Sequence, residues 1–297
     1  MRPDVQRRSL ILGAGASALA VGWARGAKAL PFLSRAPSPF RPIEDQVRGR
    51  LGVAALDTAS GRRIVYRAAE RFPMCSTFKL LLAAFVLTRV DQGVESLGRR
   101  IAYGKDDLLG HSPVTTAHLK EGALTLGELC AAAVTESDNG AANLIFAQIG
   151  GPIGLTAWFR RLGDKITRLD RVEMALNTCV PGDPRDTTTP GVMVETLQKV
   201  LTGPVLTEAS RARLIGWMNN STTGLKRLRA GLTPDWRAAD KTGTGDYGTV
   251  NDLAIFWPPK RRPILVAAFI TGSIADVSAC ESALADVGRV VEAAFYG

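Results

Sequence analysis

The sequence predicts an α+β fold: one antiparallel sheet drawn from both chain ends and flanked by helices, with an all-helical second lobe between them. Three observations predict it. Strand-like apolar runs occur near residue 51 and return after residue 236. The middle of the chain is dominated by helix-favouring apolar runs, and the chain closes on an amphipathic helix. The 297 residues, 46% of them hydrophobic, suffice for a large core, and no fixed-period repeat suggests a solenoid.

Residues 1–29 read as a twin-arginine signal peptide. Arg7 and Arg8 are adjacent, an apolar Gly/Ala-rich stretch runs from Leu10 to Trp23, and Ala27-Lys28-Ala29 supplies small residues for cleavage. The alternative, a membrane anchor, fits less well because the apolar stretch is short for a bilayer. An exported, periplasmic or secreted protein with no stable membrane association is expected. Residues 30–44, with prolines from Pro31 to Pro42, read as a linker, and residues 45–297 as a single domain.

Within that domain, Leu51 to Asp57 reads as a strand, and the Thr58-to-Gly61 turn leads into a hairpin partner at Arg63 to Arg67. Phe78 to Val90 is apolar enough to be a buried helix. Further helices are expected at Thr125 to Thr135, at Asn139 to Ile149, near 190–202 and at 207–219. Residues 163–187 read as a long loop, which in a compact domain is usually functional. Trp236 to Lys241, Thr249 to Trp257 and Ile264 to Thr271 read as strands. Gly243, Gly245 and Gly248 mark the first turn and Pro258-Pro259 the second. Residues 279–296 form the last helix. The sheet lobe is then about 45–67 with 208–297, the helical lobe about 68–207, and the cleft lies between them.

Net charge is +9, of which residues 1–29 carry nearly half. The remaining basic residues are scattered and are not interleaved with aromatics, so no nucleic-acid partner is expected. The two histidines, His111 and His118, have no metal-site spacing, and neither a metal nor a cofactor is expected. Cys75, Cys130, Cys179 and Cys280 fit no CxxC or zinc pattern.

Three short segments carry candidate chemistry. Ser76-Thr77-Phe78-Lys79 at a helix start puts a hydroxyl and an amine on one face, one turn apart. A serine becomes nucleophilic when a nearby base takes its proton, and N–H groups at the helix start favour an oxyanion. Such a pattern arises by chance about once in a chain of this length, so alone it decides nothing. Ser137-Asp138-Asn139 would cap a helix, offer a second hydroxyl for proton transfer and present an amide to a substrate. Lys241-Thr242-Gly243 on a strand suits an anionic substrate, with the glycine read as letting a ligand approach the backbone.

Together and in this order, the three segments resemble the signature of class A β-lactamases and penicillin-binding proteins. The resemblance runs from about residue 45 to 295 and implies a β-lactamase/transpeptidase-like fold. It implies β-lactam antibiotics as substrates and a monomer. Arg168-Leu169-Asp170-Arg171-Val172-Glu173-Met174-Ala175-Leu176-Asn177 is similar to the class A Ω-loop. Glu173 and Asn177, four apart, would hold a deacylating water, and Arg171 with Asp186 would pin the loop. The resemblance assigns catalysis to Ser76, Lys79, Ser137 and Glu173. Substrate binding falls to Asn139, Asn177, Lys241, Thr242, Gly243 and Thr244, with backbone N–H groups of Ser76 and Thr244 as the oxyanion hole. Lys79 and Glu173 both stand as the acylation base.

The chain departs from the family pattern in several places. Val250 and Asn251 occupy a region where many members carry arginine, and Arg227 matches a position where others place a substitute; a helix-surface arginine is the competing reading. His111 stands where relatives carry an aromatic flanking the substrate. Met174 replaces a common proline. Cys75 and Cys130 match family disulfide positions whose partner sites hold Gly245 and Ala83, so both bridges are lost and four free thiols are expected. A D,D-peptidase, or a muropeptide or antibiotic binder without turnover, are the other readings; Glu173 and Asn177 argue against the first, and the intact Ser76, Lys79, Ser137 and Glu173 against the second.

Overall fold

The computed structural model describes residues 38–296. The expected signal peptide and residues 30–37 of the expected linker lie outside the described residues. Residues 41–44, also expected as linker, are instead the start of helix α1 (Arg41–Val47), with a proline in its first turn. There the missing N–H of Pro42 leaves no helical bond unmade. Phe40, Ile43 and Val47 anchor this segment in the core.

After α1 come β1 (Arg50–Asp57), β2 (Arg63–Tyr66), the short β3 (Phe72–Pro73), a 3-10 turn at Cys75–Thr77, and α2 (Phe78–Asp91). Next are β4 (Arg100–Ala102), α3 (Pro113–Ala117), β5 (Ala123–Thr125), α4 (Leu126–Thr135), α5 (Asn139–Ile149) and α6 (Gly151–Arg161). The long loop ends in β6 (Thr187–Thr188), and α7 (Pro190–Leu201), α8 (Glu208–Asn219), β7 (Arg237–Gly245), β8 (Thr249–Trp257), β9 (Ile264–Thr271) and α9 (Val277–Phe295) complete the chain. Sequence reading missed α6, because its Gly-Pro-Ile-Gly start reads as a breaker; Leu155, Trp158 and Phe159 nevertheless bury one face of it.

The main sheet runs in the order β2-β1-β9-β8-β7, antiparallel throughout, so both chain ends share it as expected. Alternate residues of β1 face opposite sides. Val53 and Ala55 join α1 and α9 in one apolar cluster, while Ala54 and Leu56 join the other. The first strand after residue 236 is longer than expected. Its register, Gly243 opposite Asn251 and Gly245 opposite Thr249, draws Lys241-Thr242-Gly243 into the ladder and leaves the turn to Asp246–Gly248.

Helix α2 is buried from Phe78 to Leu87 and forms the axis of the helical lobe, with α4, α5, α6 and α8 packed on it. A helix apolar all round has to be central. Helix α7, expected in the helical lobe, packs on β1 and β9 instead. Among the described residues, no helix is long and apolar enough to cross a membrane.

Candidate active site

Ser76 lies in the 3-10 turn that runs into α2, where the sheet lobe meets the helical lobe. The Thr77 hydroxyl donates to the Met74 carbonyl at 2.7 Å. From β8, the Asn251 amide donates to the Pro73 and Met74 carbonyls at 2.9 and 3.1 Å. Cys75, just before the serine, has a left-handed backbone with φ of +46°. β7 closes on this turn so tightly that a Cβ at Gly243 would sit 2.7 Å from the Met74 carbonyl oxygen. The glycine is therefore required by the protein's own packing, a different reason from the ligand approach that the sequence suggested.

Lys79, one turn along α2, is fully buried. Its ammonium reaches Glu173 Oε1 at 2.8 Å, the Ser137 carbonyl at 2.8 Å and Asn139 Oδ1 at 2.5 Å. Burial pulls the Lys79 amine below its ordinary range, and the Glu173 and Asp138 carboxylates oppose that pull. The Ser76 hydroxyl donates to the same Glu173 Oε1 at 3.3 Å. Serine and lysine thus meet through one carboxylate oxygen. The other, Oε2, accepts from the Asn177 amide at 2.6 Å, a direct contact between two residues that the sequence reading aims at a shared water.

Ser137 also has positive φ, +58°, and its hydroxyl accepts from Lys241 Nζ at 3.0 Å. Asp138 caps α5 through Ala141 N–H, takes N–H bonds from Val114 and Thr115, and so welds this segment to α3. Asn139, assigned to the substrate, spends both ends of its amide on the protein: Oδ1 on Lys79 and Nδ2 on the Gly110 carbonyl at 2.6 Å. His111 is exposed beside it; its carbonyl accepts from Asn139 N–H and its ring pairs with the Glu136 carbonyl at 2.9 Å.

On β7, Lys241 is fully buried, and burial together with the nearby Lys79 and Arg227 charges pushes its amine well below the usual lysine range. The Thr242 hydroxyl pairs with Thr223 at 2.6 Å. Arg227 is 4% exposed, which overturns the surface reading. Its guanidinium donates to the Gly243 and Asn251 carbonyls and to the Thr244 hydroxyl, the last at 2.8 Å.

The loop bearing Glu173 is tied down at both ends. Arg171 Nε donates to Asp186 Oδ2 at 2.6 Å, and Asp186 Oδ1 accepts from the Asp170 and Arg171 N–H groups. The Glu173–Met174 peptide is cis. Sequence reading missed Asn143, which grips the Glu173 backbone; one helical turn from Asn139 on α5, it carries the spacing that could have revealed it. It also missed Asn251 as the clamp on the Ser76 turn. All four cysteines are free, as expected.

A sheet lobe and a helical lobe that bring a serine, two buried lysines, a second serine and a carboxylate into contact define a serine acyl-transfer hydrolase. Comparison with known proteins narrows the class. A model described as the β-lactamase enzyme family matches residues 39–295. The carbapenem-hydrolysing β-lactamase KPC of Klebsiella oxytoca is 44% identical over 266 residues, 89% of this chain and 90% of that protein. β-Lactamase Toho-1 of Escherichia coli is 47% identical over 229 residues, covering 77% of this chain and 78% of its own length. Among solved structures, the class A β-lactamase of the last common ancestor of Gram-negative bacteria (GNCA4) is 58% identical with a TM-score of 0.85, covering 86% of this chain and 97% of that one. The chain belongs to the class A serine β-lactamases, enzymes that open the β-lactam ring through an acyl-serine intermediate.

Proposed function

We propose that Ser76 is the nucleophile with which this enzyme hydrolyses penicillins and cephalosporins, and that Glu173 serves both halves of the reaction. The observation that carries this is the single oxygen, Glu173 Oε1, within reach of both the Ser76 hydroxyl and the Lys79 amine. Lys79 faces three acceptors. An ammonium has three N–H donors to match them, whereas a neutral amine has two. A protonated Lys79 cannot accept the serine proton, which leaves the Glu173 carboxylate to take it.

In this reading Ser76 attacks the lactam carbonyl, and backbone N–H groups of Ser76 and Thr244 stabilise the oxyanion. Ser137, polarised by Lys241, passes a proton to the lactam nitrogen. The substrate carboxylate lies against Lys241, Thr242 and Thr244, with Arg227 behind Thr244; His111 and Asn139 border the acyl side chain. Glu173 then activates water for deacylation. Asn177 Oδ1, buried and without a protein partner among the described residues, supplies that water with an acceptor. The mature protein acts as a monomer, exported after loss of residues 1–29.

Nitrocefin tests the proposal. Fast, repeated turnover by the parent and none by a folded Ser76→Ala variant is expected. A stoichiometric burst without turnover would instead make the protein a penicillin-binding protein, and turnover by Ser76→Ala would remove Ser76 as nucleophile.

A further inference from the structure

Cys75 and Cys179 are 104 residues apart in sequence, yet their sulfurs lie 3.4 Å from each other. Cys75 immediately precedes Ser76, and Cys179 follows Asn177 on the Ω-loop, so the contact bridges the nucleophile turn and the loop that carries Glu173. Gly245 of β7 makes the contact possible: a Cβ there would fall 2.7 Å from each sulfur. We propose that Cys75 and Cys179 form a redox-active dithiol, oxidised by small-molecule disulfides to a bridge that tethers the Ω-loop to the nucleophile turn.

The two thiols have different roles. Cys179 lines a cavity of about 410 Å³ together with Arg50, Asp183, Tyr247 and Thr271, none of them a group assigned to acyl transfer. The two sulfurs share a hydrogen bond, and Cys179 Sγ also donates to the Asn177 carbonyl at 3.2 Å. The Cys75 contact, with the Thr249 hydroxyl and the Arg171 charge, holds the Cys179 thiol below its ordinary range against burial and the Asp246 charge. Cys75 is fully buried, and its hydrogen bond to Cys179 together with burial pushes its thiol well up. Cys179, at the cavity wall, is the thiol that a small disulfide meets first, and the fully buried Cys75 is the resolving thiol. The Cys179 thiolate attacks a disulfide RSSR, forming a mixed disulfide and releasing RS⁻. Cys75 then loses its proton and attacks Cys179 Sγ, expelling the second RS⁻. The two thiolates take up the two cysteine protons, so two protein thiols and one RSSR yield one protein disulfide and two RSH. Bridge formation must close the gap from 3.4 Å to the S–S bond length of about 2.05 Å. This chemistry is separate from acyl transfer, and the bridge itself is read on sulfur rather than on hydrolysis.

The full chain is incubated with hydroxyethyl disulfide, unfolded under acid quench, and its thiols are titrated and mapped. The four thiols should fall to two, with Cys75 and Cys179 peptides cross-linked. Cys75→Ser should stop at a mixed disulfide on Cys179, and Cys179→Ser should form no cross-link. Gly245→Ala, whose methyl enters between the sulfurs, should slow bridge formation at least about tenfold. The cross-linked enzyme should resist thermal inactivation at least about tenfold longer than the reduced form, because the bridge closes a long loop. Four thiols surviving in the treated parent, or a bridge mapped to Cys130 or Cys280, would overturn the assignment. An unchanged thermal half-life in fully bridged protein would overturn the tether.

Discussion

Asn143 and Glu173 are joined twice: the Asn143 amide donates to the Glu173 carbonyl at 2.8 Å, and Asn143 Oδ1 accepts from the Glu173 N–H at 3.0 Å. Helix α5 thereby fixes the backbone of the residue that carries the carboxylate, and the Arg171–Asp186 pair fixes the loop around it. Asn143→Ala removes both bonds. At about 1 kcal/mol each, deacylation should slow by about tenfold or more. Acylation by Ser76 should change less. Pre-steady-state kinetics with a penicillin would check the split, and equal loss in both steps would make Asn143 a general fold determinant.

Glu173→Ala should stop the cycle at its midpoint if some acylation survives. The ester would then lack its base, so intact-mass spectra should show enzyme plus one drug mass, with turnover reduced at least about 10²-fold. If acylation is slowed as strongly, less adduct builds up, as expected when the same carboxylate takes the Ser76 proton. Near-parental turnover without adduct would assign deacylation to another group.

Arg227→Ala should raise KM and lower kcat/KM for penicillins, since losing one charge-assisted hydrogen bond costs roughly 1.5–3 kcal/mol. The variant also leaves the Gly243 and Asn251 carbonyls without their donor, so a lower Tm is expected alongside. A lower Tm with unchanged kinetics would confine Arg227 to bracing β7.

Glu44 links α1 to the sheet edge. Burial raises its carboxyl, but hydrogen bonds from Arg67, Tyr66 and the Leu51 N–H outweigh that and hold it at about 2, against 4.5 unperturbed. A depressed carboxyl stabilises the fold fully above the unfolded value and loses that contribution as pH falls through the folded one. Glu44→Gln should therefore lower Tm at pH 7, and the gap to the parent should shrink as pH falls from 4.5 toward about 2. A gap independent of pH would mean that the carboxylate charge contributes nothing.

Much of the site was legible because its signals are local. Lys79 follows Ser76 by one turn, Glu173 and Asn177 sit four residues apart, and Ser137-Asp138-Asn139 caps the helix it begins; each follows from backbone periodicity within a few residues. The strands at Thr249–Trp257 and Ile264–Thr271 and the helix at Asn139–Ile149 match their sequence reading for the same reason. The β7 turn was misplaced because a glycine-rich segment reads as a turn until its partner strand supplies the ladder, and α7 was put in the wrong lobe because its amphipathic pattern does not name the surface it covers.

What the sequence by itself determined was which residues are candidates for the chemistry and which short elements hold them. Only the tertiary structure decided their meetings: Ser76 with Lys79 through one Glu173 oxygen, Lys241 with Ser137, Arg227 buried behind Thr244, and Cys75 against Cys179. Backbone periodicity and capping act over a turn or two of chain. Contacts across a hundred residues depend instead on how closely β7 packs on the Ser76 turn, and that distance is set by the bare Cα of Gly243 and Gly245 against atoms no local pattern encodes.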